Sequence, residues 1–229
     1  MKAILLAAGF GTRLRPLTDN IPKCLVPIKG KPLLQIWLEI LSDVGIDKFL
    51  INTHYLPNLV FDFINNSDFK NKCLIINEKK LLGTAGTLIS NLDFIGSEEC
   101  LLIHADNYCL ANFYDFFNAH INRPPNCLIT MMTFRTDAPK SCGIVEINEQ
   151  NIVVGFHEKV DNPPGNLANG AIYILSSIFL NILKEKYNNF TDFSTEILPQ
   201  FLNKIYAYET KNIFIDIGTL KKYNEANTF

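Results

Sequence analysis

The sequence lacks the charge excess and the long apolar runs that mark several protein classes. Its formal net charge is only −2 over 229 residues, which argues against a nucleic-acid binder or an acidic solvating tail. No apolar run approaches the roughly 20 residues of a membrane span. The apolar stretch at the N-terminus is too short for a secretory signal. We therefore expect no nucleic-acid partner and no membrane attachment.

Cysteine pairs and metal-type cysteine clusters are also missing. The six cysteines form no CxxC pair and no Cys/His cluster with zinc-like spacing. Cys73, Cys100 and Cys127 lie inside apolar runs, so buried free thiols are expected instead of a disulfide framework. This pattern favours a reduced, cytoplasmic protein.

Two common phosphate-binding motifs are absent, although their setting is present. GxGxxG would need a glycine where Leu14 stands, and GxxxxGK[ST] does not occur. Instead, the apolar run 2–7 leads into GFGTR (9–13), and Arg15 and Lys23 follow. A glycine turn after a first strand presents backbone N–H groups to an anion, and added cations suit a triphosphate. By itself, this loop is either a triphosphate site or a solvated basic loop.

Hydrophobic residues make up 48% of the chain, and their pattern alternates between two periods in the first half. Short apolar runs predict strands at 2–7, 46–54, 72–78, 99–106 and 126–134. Helical spacing predicts helices at 33–45, 56–66, 84–94 and 113–121. Alternating strands and helices are typical of βαβ units and a mainly parallel sheet flanked by helices.

The pattern changes after about residue 140. Segments 143–148 and 151–160 predict a β-hairpin, and helices are expected near 176–186 and 192–203. No linker divides the chain. We expect one α/β domain over residues 1–229, with a smaller β-rich lobe.

Two aspartates follow strand-like segments. Asp106 ends one apolar run, and Asp216 lies in FIDIG. Ligands of α/β sheets bind at the carboxyl ends of parallel strands, and two carboxylates with phosphate oxygens make a site suited to Mg²⁺. Each aspartate could instead simply cap a loop.

Taken together, the motifs resemble one family. LAAGFGTRLRPLT, PK and GKPLL resemble the signature of the sugar-1-phosphate nucleotidyltransferases. Further matching segments are EKKLLGTAGTL (78–88), HADN (104–107), CGIVE (142–146), FHEK (156–159), LANGAIYIL (167–175), DFSTEILP (192–199) and IDIGT (215–219). The chain looks most similar to the mannose-1-phosphate guanylyltransferase type.

This resemblance implies a Rossmann-like nucleotide-diphospho-sugar transferase fold. Residues up to about 135 would form a nucleotide-binding half, and about 136–229 a half that binds the sugar phosphate. The implied reaction joins a nucleoside triphosphate and a sugar 1-phosphate into an NDP-sugar and releases pyrophosphate. The oligomeric state stays open, with a homodimer as one of the assemblies considered.

The resemblance also implies roles for single residues. Arg13 and Lys23 would be catalytic, and Asp106 and Asp216 would bind Mg²⁺. The nucleotide would contact Leu6, Ala7, Ala8, Gly9, Gly11, Thr12, Arg13, Glu78, Gly83, Thr84 and Ala85. The sugar phosphate would contact Lys23, Asn107, Gly143, Glu158, Lys159 and Asn169. Two positions depart from the family pattern, because Ala105 stands where glycine is usual and Val160 where proline is usual.

Several alternatives remain open for these residues. Glu78 favours guanine, since a carboxylate accepts hydrogen bonds from the paired donors of that base. Uridylyl, thymidylyl or cytidylyl transfer to another sugar or amino-sugar phosphate is the alternative within the class. A non-catalytic nucleotide-sugar sensor is the alternative outside it. Thr84 could be only a helix N-cap, and Glu158 and Lys159 only a surface ion pair.

Overall fold

The computed structural model describes residues 1–229. The chain divides into two compact units. The first unit comprises Lys2–Leu81, Ile103–Leu110 and Ile213–Phe229, and the second comprises Met1, Leu82–Leu102 and Ala111–Asn212. The chain passes from one unit to the other within the strand β6 (Cys100–His104).

The first unit contains a parallel three-stranded arrangement. Its strands are β1 (Lys2–Leu6), β4 (Phe49–Thr53) and β5 (Cys73–Asn77). β4 pairs with both of the others in parallel, with Ala3 opposite Phe49 and Phe49 opposite Cys73. All five residues of β4 are buried, which explains why the segment reads as an apolar run instead of alternating.

Smaller elements complete the first unit. Two short antiparallel pairs join β2 (Pro27–Ile28) to β3 (Lys31–Pro32) and β7 (Asn107–Cys109) to β13 (Phe214–Asp216). The helices are α1 (Leu33–Asp43), α2 (Pro57–Asn65) and α7 (Leu220–Ala226). α1 buries Leu34, Trp37, Leu38 and Leu41, at the spacing of one helical face.

The second unit is built on a mainly antiparallel arrangement. Its strands are β8 (Ile129–Arg135), β9 (Gly143–Ile147), β10 (Val153–Glu158), β11 (Leu167–Leu175) and β12 (Ile205–Glu209). They lie in the order β10-β9-β11-β8-β12, and only β8 and β12 are parallel. The β9–β10 hairpin lies where the sequence predicts one.

The helices of the second unit differ from expectation in two places. They are α3 (Gly83–Ser90), α4 (Leu92–Ile95), α5 (Phe113–Ile121) and α6 (Ser177–Lys186). One helix was expected over 84–94, but the chain turns at Asn91, whose side chain donates to the Thr87 carbonyl. The helix expected near 192–203 is a π-helical turn (Phe193–Ile197) followed by a 3₁₀ turn (Leu198–Phe201). Pro199 cannot donate to a regular helical ladder.

No helix of the chain is both long and apolar enough to span a membrane. All six cysteines are free thiols, and four of them are buried. Burial raises the pKa of the Cys24 and Cys73 thiols to about 12, so both are protonated and unreactive at neutral pH.

Candidate active site

The glycine loop of the first unit follows β1. Leu6, Ala7 and Ala8 lead into it, and Thr12–Leu14 form a 3₁₀ turn at its end. Gly11 has φ +64°, and a methyl group there would lie 3.1 Å from Thr18 Cγ2 and 3.3 Å from Lys23 Cβ. A side chain at Gly11 would therefore be strained and crowded. A methyl group at Gly9 would meet no atom within 4 Å, so the loop is open at this residue.

Lys23 lies at the centre of a charged cluster in the same unit. Its side chain is only 9% exposed, and its Nζ lies 2.7 Å from Asp106 Oδ2 and 3.7 Å from Asp216 Oδ1. A buried ammonium is stable only when it is paired and hydrogen-bonded. The two acids therefore fix the lysine beside the glycine loop.

Strand pairing brings the two acids together. Asp106 lies in the turn between β6 and β7, and β7 pairs with β13 so that Asn107 is opposite Asp216. The Ala105 N–H donates to the Leu6 carbonyl at 3.0 Å, and the Trp37 indole N–H donates to the Asn107 carbonyl at 2.9 Å. These bonds hold the turn next to the end of β1.

The pKa of Asp106 lies below its ordinary value. Burial alone would raise it, but the charges of Lys23 and His104 and the hydrogen bond from Lys23 outweigh burial. The carboxylate therefore stays ionised at neutral pH and keeps its oxygens as acceptors.

Arg13 completes the cluster through Gly218. A methyl group at Gly218 would lie 3.3 Å from both terminal nitrogens of Arg13 and 3.3 Å from Asp216 Oδ1. The guanidinium therefore lies against Gly218 on the side that also carries the Asp216 carboxylate. The structure thus brings together all four residues expected to act on phosphate and metal: Arg13, Lys23, Asp106 and Asp216.

Glu78 is held at the carboxyl ends of the parallel strands. It is 5% exposed, and its Oε1 accepts from the Asn52 side-chain amide at 2.9 Å. The same Asn52 accepts from the Ala7 N–H at 2.8 Å. Asn52 therefore links Glu78 to the start of the glycine loop, a role for which the sequence offers no motif.

In the second unit, Gly143, Glu158 and Lys159 lie together at one end of the β9–β10 hairpin. Glu158 pairs across the strands with Gly143, and Lys159 Nζ lies 2.9 Å from Glu158 Oε1. A methyl group at Gly143 would lie 2.5 Å from Glu158 Oε2 and 2.7 Å from Phe156 Cζ. Only glycine therefore leaves the Glu158 side chain in this position.

Asn169 belongs to the same end of the sheet. Ala168 pairs with Ile144 in antiparallel strands, so Asn169, one residue after Ala168, and Gly143, one residue before Ile144, lie on the same side of this pair. The Asn169 amide donates to the Tyr173 hydroxyl at 2.6 Å and accepts from the Ala171 N–H at 2.9 Å. Its orientation is thereby fixed.

Gly83, Thr84 and Ala85 form the start of α3, and Thr84 is not its N-cap. Leu82 precedes the helix without a side-chain cap, whereas the Thr84 hydroxyl accepts from the Phe193 N–H at 2.7 Å. The Ala85 N–H donates to the Thr191 carbonyl at 2.9 Å. The helix therefore has no side-chain cap, and a segment distant in the chain accepts from a backbone N–H group of its first turn.

The charged cluster could bind a divalent cation only if a bound phosphate ligand supplied further oxygen atoms. The chain has no group of three or more His, Cys, Asp or Glu side chains placed to hold a metal ion. Asp106 and Asp216 supply two carboxylates, and the Lys23 ammonium between them shows that this position favours a cation. Mg²⁺ usually takes one or two carboxylates and completes its shell with water and phosphate, so the donor set suits a metal that arrives with a nucleotide.

A glycine loop with paired cations and acids, on an α/β fold, is an arrangement suited to binding phosphate esters. The sequence comparison gives the family. The nucleotidyl transferase family profile matches residues 2–229, and this chain belongs to that family.

Curated relatives agree with this membership. The chain is 30% identical to a probable mannose-1-phosphate guanylyltransferase 2 of Oryza sativa subsp. japonica, over 97% of its own length and 63% of the relative's. It thus spans less than two thirds of that protein. It is also 30% identical to the D-glycero-alpha-D-manno-heptose 1-phosphate guanylyltransferase of Campylobacter jejuni, over 97% of each.

Solved structures share the fold. HddC from Yersinia pseudotuberculosis, complexed with GMP-PN, superposes with a TM-score of 0.82 at 27% identity, covering 99% of this chain and 98% of that one. A putative glucose-1-phosphate thymidylyltransferase from Bacillus anthracis superposes with a TM-score of 0.85 at 22% identity, covering 100% and 94%. The predicted fold class, a mixed and mainly parallel sheet flanked by helices, is confirmed.

Proposed function

We propose that this chain transfers a nucleotidyl group from GTP to the phosphate of a sugar 1-phosphate, forming a GDP-sugar and pyrophosphate. The observation that carries the proposal is the charged cluster, in which a buried lysine lies between two acids beside the glycine loop. The names of the rice and Campylobacter relatives support mannose 1-phosphate or a heptose 1-phosphate as the acceptor.

The reaction needs no proton transfer. A phosphate oxygen of the sugar 1-phosphate attacks the α-phosphorus, and the bond from that phosphorus to the oxygen bridging to the β-phosphate breaks. The nucleophile is already an anion, so positioning and charge neutralisation supply the rate. Arg13 binds the leaving pyrophosphate, and Lys23 neutralises the α-phosphate and the incoming sugar phosphate.

Asp106 and Asp216 are the residues that would hold Mg²⁺, which supplies charge neutralisation on the phosphate oxygens. The ionised state of Asp106 suits this role. The backbone from Leu6 to Thr12 lines the triphosphate, and Asn107 lies next to the sugar phosphate.

The second unit supplies the residues for the sugar. Glu158 accepts hydrogen bonds from sugar hydroxyls, Lys159 binds the sugar phosphate, and Asn169 and the Gly143 backbone add contacts. Gly83, Thr84 and Ala85 line the nucleoside. The functional division near residue 135 stays a prediction.

Glu78 makes guanine the favoured base. The Asn52 amide orients its carboxylate, and guanine offers the N1–H and the 2-amino group as adjacent donors. The Yersinia structure, complexed with GMP-PN, is that of a related chain binding a guanine nucleotide analogue.

We place the reaction in the cytoplasm, because free thiols are typical of a reducing compartment. The GDP-sugar would supply the synthesis of cell-surface polysaccharide. We propose a homodimer as the assembly.

Pyrophosphate release tests the proposal. GTP, UTP, dTTP and CTP are each combined with mannose 1-phosphate, a manno-heptose 1-phosphate and glucose 1-phosphate, with Mg²⁺ or with EDTA. We expect release with GTP, a manno-configured sugar phosphate and Mg²⁺. Release with UTP, dTTP or CTP alone would overturn the base assignment. Release from no pair would leave a non-catalytic sensor of nucleotide sugars.

A further inference from the structure

The DFSTEILP segment (192–199) has no part in the proposed reaction, although its first residues form an unusually well-bonded turn. One carboxylate oxygen of Glu196 accepts from the N–H groups of Thr191 at 2.7 Å and Asp192 at 2.8 Å. Asp192 Oδ1 accepts from the N–H and hydroxyl of Thr195 at 2.7 and 2.8 Å. These bonds define residues 191–196 as one structural element, the 191–196 turn.

The bonds to Glu196 involve its ionised form. The Asp192 and Thr191 N–H groups lower the pKa of Glu196 below its ordinary value. The carboxylate is therefore charged at neutral pH, and charge-assisted hydrogen bonds are stronger than neutral ones.

One side of the 191–196 turn contacts the residues proposed to line the nucleoside. The Thr191 carbonyl accepts from the Ala85 N–H at 2.9 Å, and the Phe193 N–H donates to the Thr84 hydroxyl at 2.7 Å. Gly83 has φ +79°, and a methyl group there would lie 2.3 Å from the Thr191 carbonyl oxygen. The turn and the start of α3 therefore cannot shift independently.

The other side of the turn contacts the residue that orients Asn169. The Tyr173 ring packs against Phe193, with centroids 4.9 Å apart, and the Tyr173 hydroxyl is hydrogen-bonded to both Asn169 and Ser194. Tyr173 is fully buried. The position of Asn169 therefore depends on the 191–196 turn through one side chain.

We propose that the 191–196 turn sets the spacing between the nucleoside-lining residues and the sugar-binding residues of the second unit, and that Glu196 is a positioning residue for both substrates. Because both sides of this short turn are well packed, a shift of the nucleoside-lining residues is transmitted to the sugar-binding residues, and the reverse also holds. This inference rests on the proposed function, since the two groups of residues take their roles from it.

The test compares variants that act on one side of the turn with one that acts on the turn itself. Glu196→Ala should lower kcat/KM for GTP and for mannose 1-phosphate, each by roughly 10- to 100-fold. Thr84→Val should lower kcat/KM for GTP more than for the sugar phosphate, and Tyr173→Phe should lower kcat/KM for the sugar phosphate more than for GTP. Thr84→Ser and Glu196→Gln, which keep an acceptor oxygen, should restore part of the loss. Glu185→Ala, at an exposed position of α6, is the matched control.

Calorimetric titration with GTP and with mannose 1-phosphate gives a second readout that does not need turnover. Loss of affinity for both substrates in Glu196→Ala, in a variant with a wild-type circular dichroism spectrum, supports the inference. An effect on one substrate alone, or on neither, overturns it while the proposed function stands. A wild-type chain that neither binds GTP nor releases pyrophosphate refutes the proposed function, and the inference with it.

Discussion

Replacing Gly143 by alanine tests whether Glu158 takes part in sugar binding. The added methyl would lie 2.5 Å from Glu158 Oε2 and 2.7 Å from Phe156 Cζ. Comfortable van der Waals separation is about 3.5 Å, so both side chains would have to move by about 1 Å. Both atoms are at the ends of side chains, so the hairpin should survive while the Glu158 carboxylate shifts.

The size of the effect follows from that displacement. A misplacement of about 1 Å in a positioning group costs on the order of 100-fold in rate, so kcat/KM for the sugar phosphate should fall by about that factor. Overpacking typically costs about 1–3 kcal/mol in the free energy of unfolding. For a chain of this size, that corresponds to roughly 2–4 °C in Tm per kcal/mol.

The assay is pyrophosphate release at saturating GTP with varied mannose 1-phosphate, and then the reverse. KM for GTP should stay at the wild-type value, because the change lies among the proposed sugar-binding residues. Gly165→Ala is the matched control, since a methyl group there meets nothing within 4 Å. Unchanged kcat/KM for the sugar phosphate in Gly143→Ala would refute the role given to Glu158.

Three further perturbations probe other parts of the chain. Arg13→Ala should lower kcat by about 100- to 1,000-fold, the usual cost of one group that stabilises transition-state charge, and Arg13→Lys should recover only part because it lacks the planar fork of donors. Asn52→Leu should weaken the preference for GTP and lower the free energy of unfolding by about 1–3 kcal/mol, since Glu78 loses a buried hydrogen bond. Burial lowers the pKa of His120 despite its hydrogen bond to Glu99. The free energy of unfolding, measured with urea, should therefore fall as the pH drops below about 6.5, the ordinary pKa of histidine. The slope should not exceed about 1.4 kcal/mol per pH unit, the value for one proton.

Each of these expectations has a specific contrary result. Wild-type turnover in Arg13→Ala would remove the arginine from the reaction. Unaltered base preference in Asn52→Leu would mean that Glu78 does not select guanine. The unfolded state protonates His120 at a higher pH than the folded state does. The stabilisation from neutral, buried His120 is therefore complete above about pH 6.5 and declines below it. His120→Gln should remove this slope, and an unchanged slope would assign it to other groups, with Glu99 and Arg123 the charged neighbours.

The local elements and the charged cluster could be predicted from sequence because their signals are local. The sequence contains a glycine turn after an apolar run and two acids after strand-like segments. These residues lie close together once the strands are parallel or paired. Asn52, Tyr173 and Gly218 could not be found in this way, since their importance lies in contacts with residues distant in the chain. The segment expected to be a helix near 192–203 is helical over residues 193–201, but as a π-helical turn followed by a 3₁₀ turn. Pro199 removes a backbone donor from the helical ladder, and hydrophobic periodicity does not distinguish these helix types.

Trp37 is the only tryptophan of the chain, and its indole N–H is bonded to the carbonyl of Asn107, the residue after Asp106. Indole emission responds to the polarity and hydrogen bonding of its surroundings, so this protein carries an intrinsic fluorophore one peptide away from the acid expected to bind metal. Titration of GTP or Mg²⁺ can therefore be followed by a change in emission without a dye, and the Trp37→Phe variant provides the reference that lacks this emission.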